Sequence, residues 1–172
     1  SEIAKSFKES VAIDTEATGL QIPERDKLSL IQICGENTDV YIIQPDRKNY
    51  NAPNLVSVLE NEKIQKIGHF LRFDKSALEY FLKCKINNIF DTKIASKICR
   101  TYTDSHGLKN LVQEFCNKNL DKKQGSSDWN KNINELSEKQ LEYAANDVLF
   151  LHKIKTELEK MLIRENRMDL YK

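Results

Sequence analysis

The sequence predicts an α/β fold in which a mixed central β-sheet of about five strands, the first three antiparallel, is flanked by α-helices. Three short apolar segments in the first 43 residues are separated by turns short enough for hairpins, which favours an antiparallel meander. From residue 64 onward, strand-like segments alternate with segments of helical spacing, the pattern of βα units. A chain of 172 residues is also long enough to bury a sizeable core in one domain.

The predicted strands follow from short apolar runs. Residues 11–13 (VAI) are typical of a strand buried on both faces. Residues 28–33 (LSLIQI) alternate apolar and polar, as in a strand covered on one face. The other predicted strands are residues 40–43, 64–68 and 86–90.

The predicted helices follow from apolar residues three and four apart and from signals at the helix ends. Pro53 suits a first helical turn, Asp91 or Thr92 an N-cap, and Ser137 with Gln140 a capping box. The predicted helices are a short lead-in within residues 1–10, then residues 54–60, 74–81, 92–100 and 107–115, and a last helix that continues from the capping box towards Leu162. Residues 118–130 are predicted to form a loop.

Composition excludes several classes of protein. The hydrophobic fraction of 40% and the charged fraction of 31% are ordinary globular values, and the apolar runs are too short for a membrane span or a signal segment. The net charge of +1 argues against a strongly basic nucleic-acid coat. Because no membrane span or signal segment is found, we expect a cytoplasmic protein without membrane contact. The four cysteines are widely spaced and lack zinc spacing, so we expect reduced core thiols.

Two acids directly follow the first apolar strand. Asp14 and Glu16 lie two residues apart, so both side chains project to the same side of the strand. Close carboxylates stay ionised when a cation or hydrogen-bond donors compensate them, and hard oxygen ligands suit Mg²⁺ or Mn²⁺. Gly19 then permits a sharp turn or close approach to a ligand. The alternative is a pair of solvated acids that cap a turn.

Two further acids, Asp147 and Asp74, are likewise either metal ligands or acids with an ordinary structural role. Tyr143 and Asp147 lie four residues apart on one face of the last helix, and Ala144 with Ala145 keeps that helix slim enough to approach the sheet near Asp14. Asp147 is otherwise an exposed acid on an amphipathic helix. Asp74 is otherwise the cap of the helix that it begins.

The set of acids and its order resemble the DEDD superfamily of 3′-5′ exonucleases, in the branch that bears a tyrosine. The resemblance is closer to ribonuclease D and, within that group, to the nanoRNase C family of alphaproteobacteria. It is carried by VAIDTEATGL, KIGHFLRFDKSAL, DTKIASKICRTYTDSHGLKNL, KKQGSSDW and QLEYAANDVLFLHKIK, which together extend from position 11 to 155. The resemblance implies a ribonuclease-H-like fold, with residues 1–172 as a single 3′-5′ exonuclease domain.

The resemblance also implies roles for the acids. Asp14, Glu16 and Asp147 would bind one divalent ion, Asp14 would be shared with a second, and Asp74 would hold its ion directly or through water. The implied cofactors are therefore two divalent ions, Mg²⁺ or Mn²⁺. Tyr143 would orient the attacking water.

The resemblance further implies the substrate contacts Thr15, Leu20, His69, Arg72 and Ser127. Leu20 would wedge beside a base, although Ala17 and Thr18 stand where relatives commonly have threonine and leucine. His69 has a purely structural alternative. Trp129 either packs the loop, which we favour, or stacks a base, while Lys122 and Lys123 are candidate phosphate contacts.

The expected function is hydrolysis of short single-stranded RNA to 5′-mononucleotides from the 3′ end, with short DNA as a second candidate substrate. The resemblance implies a homo-oligomer that restricts access to the site. Trimming of longer or structured RNA, as in ribonuclease D, is the alternative enzyme activity. An inactive RNA-binding or scaffold module is the alternative outside enzymes, and it predicts the loss of a metal carboxylate.

Overall fold

The computed structural model describes residues 1–121 and 123–172 and contains a five-stranded sheet. Its strands are β1 (Ser10–Ala17), β2 (Leu28–Cys34), β3 (Val40–Ile43), β4 (Gln65–Gly68) and β5 (Ile89–Asp91). They lie in the order β3-β2-β1-β4-β5. The β1–β2 and β2–β3 pairs are antiparallel, and the β1–β4 and β4–β5 pairs are parallel. This confirms the predicted mixed sheet with an antiparallel start.

Helices flank the sheet, as predicted. They are α1 (Glu2–Ser6), α2 (Pro53–Glu60), α3 (Arg72–Leu82), α4 (Thr92–Cys99), α5 (Leu108–Cys116), α6 (Glu138–Leu149), α7 (Leu151–Arg164) and α8 (Met168–Tyr171). The predicted polar loop contains a 3₁₀ turn, Lys123–Ser126, and a second 3₁₀ turn is Ile133–Glu135. Within the described residues, no helix is long and apolar enough to cross a membrane. All four cysteines are free thiols.

The two faces of β1 belong to two different cores. Val11 and Ile13 pack into the core under α2 and α3, whereas Ala12 packs into the core under α4, α5 and α7. Strand side chains alternate between faces, so Asp14 and Glu16 continue the face of Ala12 and Thr15 continues the face of Ile13. The prediction of a strand buried on both faces is confirmed.

Strand β2 is covered more completely than its sequence predicts. All seven of its residues are buried, and Ser29 and Gln32 are fully buried, so the prediction of a half-covered strand is wrong. Each of these two polar side chains donates a hydrogen bond to a backbone carbonyl. The Ser29 hydroxyl donates to the carbonyl of Trp129, and the Gln32 amide donates to the carbonyl of Ala144.

The last long helical segment is divided in two. The apolar spacing predicts one helix towards Leu162, but the backbone breaks at Phe150 (φ −101°, ψ −4°), which separates α6 from α7. Helix α6 packs across β1, β2 and β3, whereas α7 packs mainly against α4 and α5. Because of the break, the apolar residues of α6 pack on the sheet and those of α7 pack on α4 and α5. The break also places α6 over the acidic end of β1.

Candidate active site

Three carboxylates from two elements meet beside the end of β1. Asp14 and Glu16 come from β1, and Asp147 comes from α6. One oxygen of each lies within 4.8 Å of the others, a spacing that a single metal ion can bridge. The helix comes this close because Ala144 is fully buried against the sheet and lacks a bulky side chain.

Asp74 approaches from the opposite face of β1. It lies in the first turn of α3, whose N-cap is Leu71, so it does not cap its own helix. Its Oδ1 accepts from the backbone N–H of Thr15 at 3.1 Å and from the Thr15 hydroxyl. Asp74 is buried and contributes to the negative potential at Asp14, although it is not one of the three clustered ligands.

The pKa values at this site show an excess of negative charge. Burial, followed by Asp74, Asp147 and Glu16, raises the pKa of Asp14 well above its usual range. Burial, then Asp147, raises the pKa of Glu16 from 4.5 to about 8, against a lowering contribution from Gln32. Burial also raises the pKa of Asp74. Such shifts mean that the site favours protons or another cation.

A cavity of about 590 Å³ opens over these carboxylates. None of the described residues that line it is a lysine or an arginine. The donor set consists of hard carboxylate oxygens, which fit Mg²⁺ or Mn²⁺ and give no soft-metal ligand. The residues present therefore fit a divalent metal ion.

Tyr143 lies at the wall of the same cavity. Its ring centroid is 6.1 Å from that of Trp129, and a Cβ built on Gly125 would lie 2.7 Å from its hydroxyl oxygen. The 3₁₀ turn that contains Gly125 therefore rests against the hydroxyl. Burial, then Asp147, Glu16 and Asp14, raises the Tyr143 pKa, so the phenol keeps its proton at neutral pH.

Gln32 is a site residue that the sequence interpretation missed. It lies opposite Asp14 in the β1–β2 pair, and its Nε2 donates to Asp14 Oδ2 and Glu16 Oε1, both at 3.4 Å, and to Ala144 O at 3.2 Å. One amide therefore connects both β1 carboxylates with α6. The signal was a glutamine in a largely apolar strand that neighbours the acidic strand.

A family model described as 3′-5′ exonuclease matches residues 1–163. This chain belongs to the 3′-5′ exonuclease family. The match covers most of the sequence, including every carboxylate of the cavity described above.

Similar proteins agree with this membership. Ribonuclease D of Bartonella henselae is 33% identical over 141 residues, which are 82% of this exonuclease but 34% of that protein. DNA polymerase I of Aquifex aeolicus is 35% identical over 159 residues, 87% of this chain and 24% of that one. The exonuclease thus spans about a third of the length of the first of these curated relatives and about a quarter of the second.

A nuclease of known structure is similar over more of its length. Brucella melitensis NrnC superposes with a TM-score of 0.89 at 44% identity, and the match covers 95% of this exonuclease and 78% of the NrnC chain. Structures of that protein exist with bound Mg²⁺ and with bound pGG.

The substrate contacts expected from the sequence lie at different distances from the carboxylates. Thr15, Leu20, His69 and Ser127 line the carboxylate cavity of the exonuclease, whereas Arg72 is exposed beside an adjoining cavity. Nδ1 of His69 is hydrogen-bonded to the Thr92 hydroxyl at 2.9 Å. Their contacts with substrate stay predictions.

The loop before α6 is anchored to the sheet. Trp129 is buried, which agrees with its predicted packing role, and its carbonyl accepts from Ser29 and from Arg47. Lys123 is exposed at the start of the 3₁₀ turn, and Lys122 lies outside the described residues.

Proposed function

We propose that this exonuclease is a metal-dependent 3′-5′ exoribonuclease that hydrolyses short oligoribonucleotides, down to dinucleotides, to 5′-mononucleotides. The observation that carries the proposal is the cavity in which Asp14, Glu16, Asp147 and Tyr143 meet without a described lysine or arginine in its lining. A cation must enter such a site before a phosphodiester can, because the carboxylates would otherwise repel the phosphate.

The proposed cofactors are two divalent ions, Mg²⁺ or Mn²⁺. Asp14, Glu16 and Asp147 would hold one, and Asp14 with Asp74 would hold the other. Bound there, the ions would lower the pKa of an attacking water and stabilise the leaving oxygen. Support comes from the oxygen donors of this chain and from the Mg²⁺ bound to the similar Brucella NrnC.

The chain's own residues would position the reactants. Tyr143 keeps its phenolic proton at neutral pH, so it suits orientation of the attacking water by a hydrogen bond better than proton abstraction. Gln32 would hold the carboxyl groups of Asp14 and Glu16 in place. We also propose that the chain is of the tyrosine-bearing DEDD subtype and is functionally similar to nanoRNase C.

The proposed preference for short substrates rests on two observations. The net charge of +1 gives the chain no general excess of positive charge, and such an excess normally supplies affinity for long strands. Brucella NrnC binds pGG, a substrate-sized ligand. We propose that this chain acts on substrates of the same size. We also propose that residues 1–172 form a single exonuclease domain and that the protein assembles into a homo-oligomer. The cytoplasmic location stays a prediction.

Trimming of longer or structured RNA 3′ ends is the second candidate, and the ribonuclease D relatives favour it. Those relatives are much longer than this chain, so the regions that they have in addition lie outside the match. The inactive-module alternative predicts a missing carboxylate, yet the sequence has all four.

The test is digestion of 3′-end-labelled and 5′-end-labelled RNA, from dinucleotides to about 20 nucleotides, and of matching DNA. We expect 5′-mononucleotides with Mg²⁺ or Mn²⁺, no product in excess chelator, and the highest kcat/KM on dinucleotides. A higher kcat/KM on the longest strand would favour trimming, and no hydrolysis with either metal would refute the enzyme. Light scattering on the same preparation tests the oligomer.

A further inference from the structure

Phe70 adopts an unusual backbone conformation between β4 and α3. Its φ of 57° lies in the left-handed region, which bulky side chains rarely occupy. Conformations of this kind persist when the surrounding structure enforces them, and they concentrate at ligand-binding sites.

The carboxylate of Asp91 enforces the conformation. Its Oδ1 accepts from the Phe70 N–H at 3.0 Å, and its Oδ2 accepts from the Leu71 N–H at 2.8 Å. The side chain of Leu71 packs so closely on Gly68 that a Cβ there has no room. The backbone of the turn is therefore fixed from both sides.

The fixed turn projects the Phe70 ring outward. Its exposed fraction is 51%, a large value for an aromatic residue that borders a site. The ring lines the carboxylate cavity and also a second cavity of about 310 Å³, and Leu20 and Phe73 are likewise common to both. The second cavity therefore adjoins the place where a scissile phosphate would lie.

Positive charge accompanies the ring. Lys93 Nζ lies 4.2 Å from the centroid of the Phe70 ring, and the exposed Arg72 lines the second cavity. An aromatic face with basic groups beside it is the combination that proteins use for single-stranded nucleic acids, where bases stack and phosphates pair with cations.

We propose that Phe70 is a base-stacking platform, and that a nucleobase next to the scissile phosphate stacks on it and enters the cavity between Leu20 and Phe73. The inference rests on the proposed function, because the carboxylate cavity determines where the scissile phosphate lies. It adds Phe70 to Leu20, which the sequence interpretation already placed beside a base.

The test compares Phe70→Asn with Phe70→Tyr in steady-state hydrolysis of an RNA dinucleotide. Asn accepts a left-handed backbone, so Phe70→Asn removes the ring without adding strain, whereas Phe70→Tyr retains the ring. We expect Phe70→Asn to raise KM about 10- to 100-fold with kcat little changed, as for loss of one stacked base. Phe70→Tyr should rescue most of the loss in KM, because it retains the ring. Tyr80→Ala, which removes an exposed aromatic ring outside both cavities, should behave like wild type.

Dinucleotides that lack one base identify the stacked nucleotide. The KM ratio of Phe70→Asn to wild type should approach one for the dinucleotide that lacks the stacked base. Equal KM values for Phe70→Asn and wild type on the intact dinucleotide would overturn the inference and leave the proposed function standing. If wild type does not hydrolyse the dinucleotide, the proposed function fails. In that case dinucleotide binding is measured instead, and equal affinity of wild type and Phe70→Asn would overturn the base-stacking role of Phe70 as well.

Discussion

Asp91 and the carboxylates at the end of β1 are all partly or fully withdrawn from water, and their surroundings differ. Asp91 caps α4, where Oδ1 accepts from the backbone N–H groups of Lys93 at 2.9 Å and Ile94 at 3.3 Å. It also accepts from the N–H groups of Phe70 and Leu71. Four backbone N–H groups thus donate to one carboxyl group.

The acids of β1 have mainly other acids around them. Asp14 and Glu16 share one amide, that of Gln32, at 3.4 Å each. Asp74 and Asp147 both raise the pKa of Asp14 by their charge. Burial is therefore accompanied by repulsion at this end of the sheet, whereas at Asp91 it is accompanied by hydrogen bonds.

The difference separates a structural acid from a site for a cation. A buried carboxylate with several N–H donors stays ionised by itself, whereas clustered carboxylates stay ionised together when a cation neutralises them. The hydrogen-bonded carboxylate stabilises the fold, whereas the clustered carboxylates form a binding site for a cation. Substitutions at the two places should therefore change stability in opposite directions.

The largest expected effect comes from Asp14→Asn. The change removes a shared ligand, so hydrolysis should fall at least about 10³-fold, while the melting temperature in chelator should rise because repulsion decreases. RNA hydrolysis and thermal unfolding in chelator measure the two effects. Asp169→Asn, whose side chain is 96% exposed, is the matched control. Unchanged turnover, or wild-type activity that persists in excess chelator, would refute the metal site.

Tyr143→Phe should have the next largest effect. It removes the hydroxyl that would orient the attacking water, so kcat should fall about 10²-fold with little change in KM. Steady-state kinetics on a dinucleotide measure both constants, and Tyr80→Phe, on the exposed surface of α3, is the control. A mutant that matches wild-type kcat would make Tyr143 a packing residue beside Trp129.

The part of this arrangement that follows chain periodicity could be predicted from the sequence. Asp14 and Glu16 are two residues apart in a strand, and Tyr143 and Asp147 are four apart in a helix, so each pair has a face fixed by local geometry. The antiparallel start of the sheet followed from hairpin-length turns, and the later strand–helix alternation followed from the spacing of apolar residues. The sequence placed an N-cap at Asp91 or Thr92, and the structure has it at Asp91.

The features that depend on tertiary contacts could not be predicted in this way. The burial of Gln32 depends on which strand lies beside it and on how closely α6 approaches. The conformation of Phe70 depends on a carboxylate 21 positions later in the chain. The break at Phe150 interrupts an apolar pattern that is itself continuous, because α6 and α7 pack on different surfaces.

Asp91→Asn tests the structural side of the comparison. The change puts an amide NH₂ against backbone N–H donors, so the free energy of unfolding should fall by about 2 kcal/mol. For a chain of this length, that lowers the melting temperature by about 4 to 8 °C. Urea unfolding in chelator measures it, with Asp169→Asn again as the control. A rise in stability like that expected for Asp14→Asn would remove the distinction between the two acids.

The smallest effect is a pH dependence of stability without metal. The pKa of Glu16 is about 8 in the folded chain against an ordinary value of 4.5, so between these pH values the folded state retains a proton that the unfolded state releases. The free energy of unfolding must therefore fall as pH rises through this window, by at most about 1.4 kcal/mol per pH unit for one proton. The melting temperature in chelator should fall by about 3 to 5 °C per unit at most.

Other groups also affect this slope, and burial raises the pKa values of Asp14 and Asp74, which adds to it. Burial lowers the pKa of His152, which opposes the slope around its ordinary value of 6.5, and burial lowers the pKa of Lys66 from 10.5 to about 8, which affects stability above that pH. The quantity to compare is therefore the slope of wild type minus that of Glu16→Gln, from pH 5 to 8, since both proteins contain the same histidine and lysine. Saturating Mg²⁺ should abolish this difference, because the ion replaces the proton at the carboxylates. Equal slopes for the two proteins in chelator would show that Glu16 has an ordinary pKa, and the contrast with Asp91 would then have to rest on Asp14 alone.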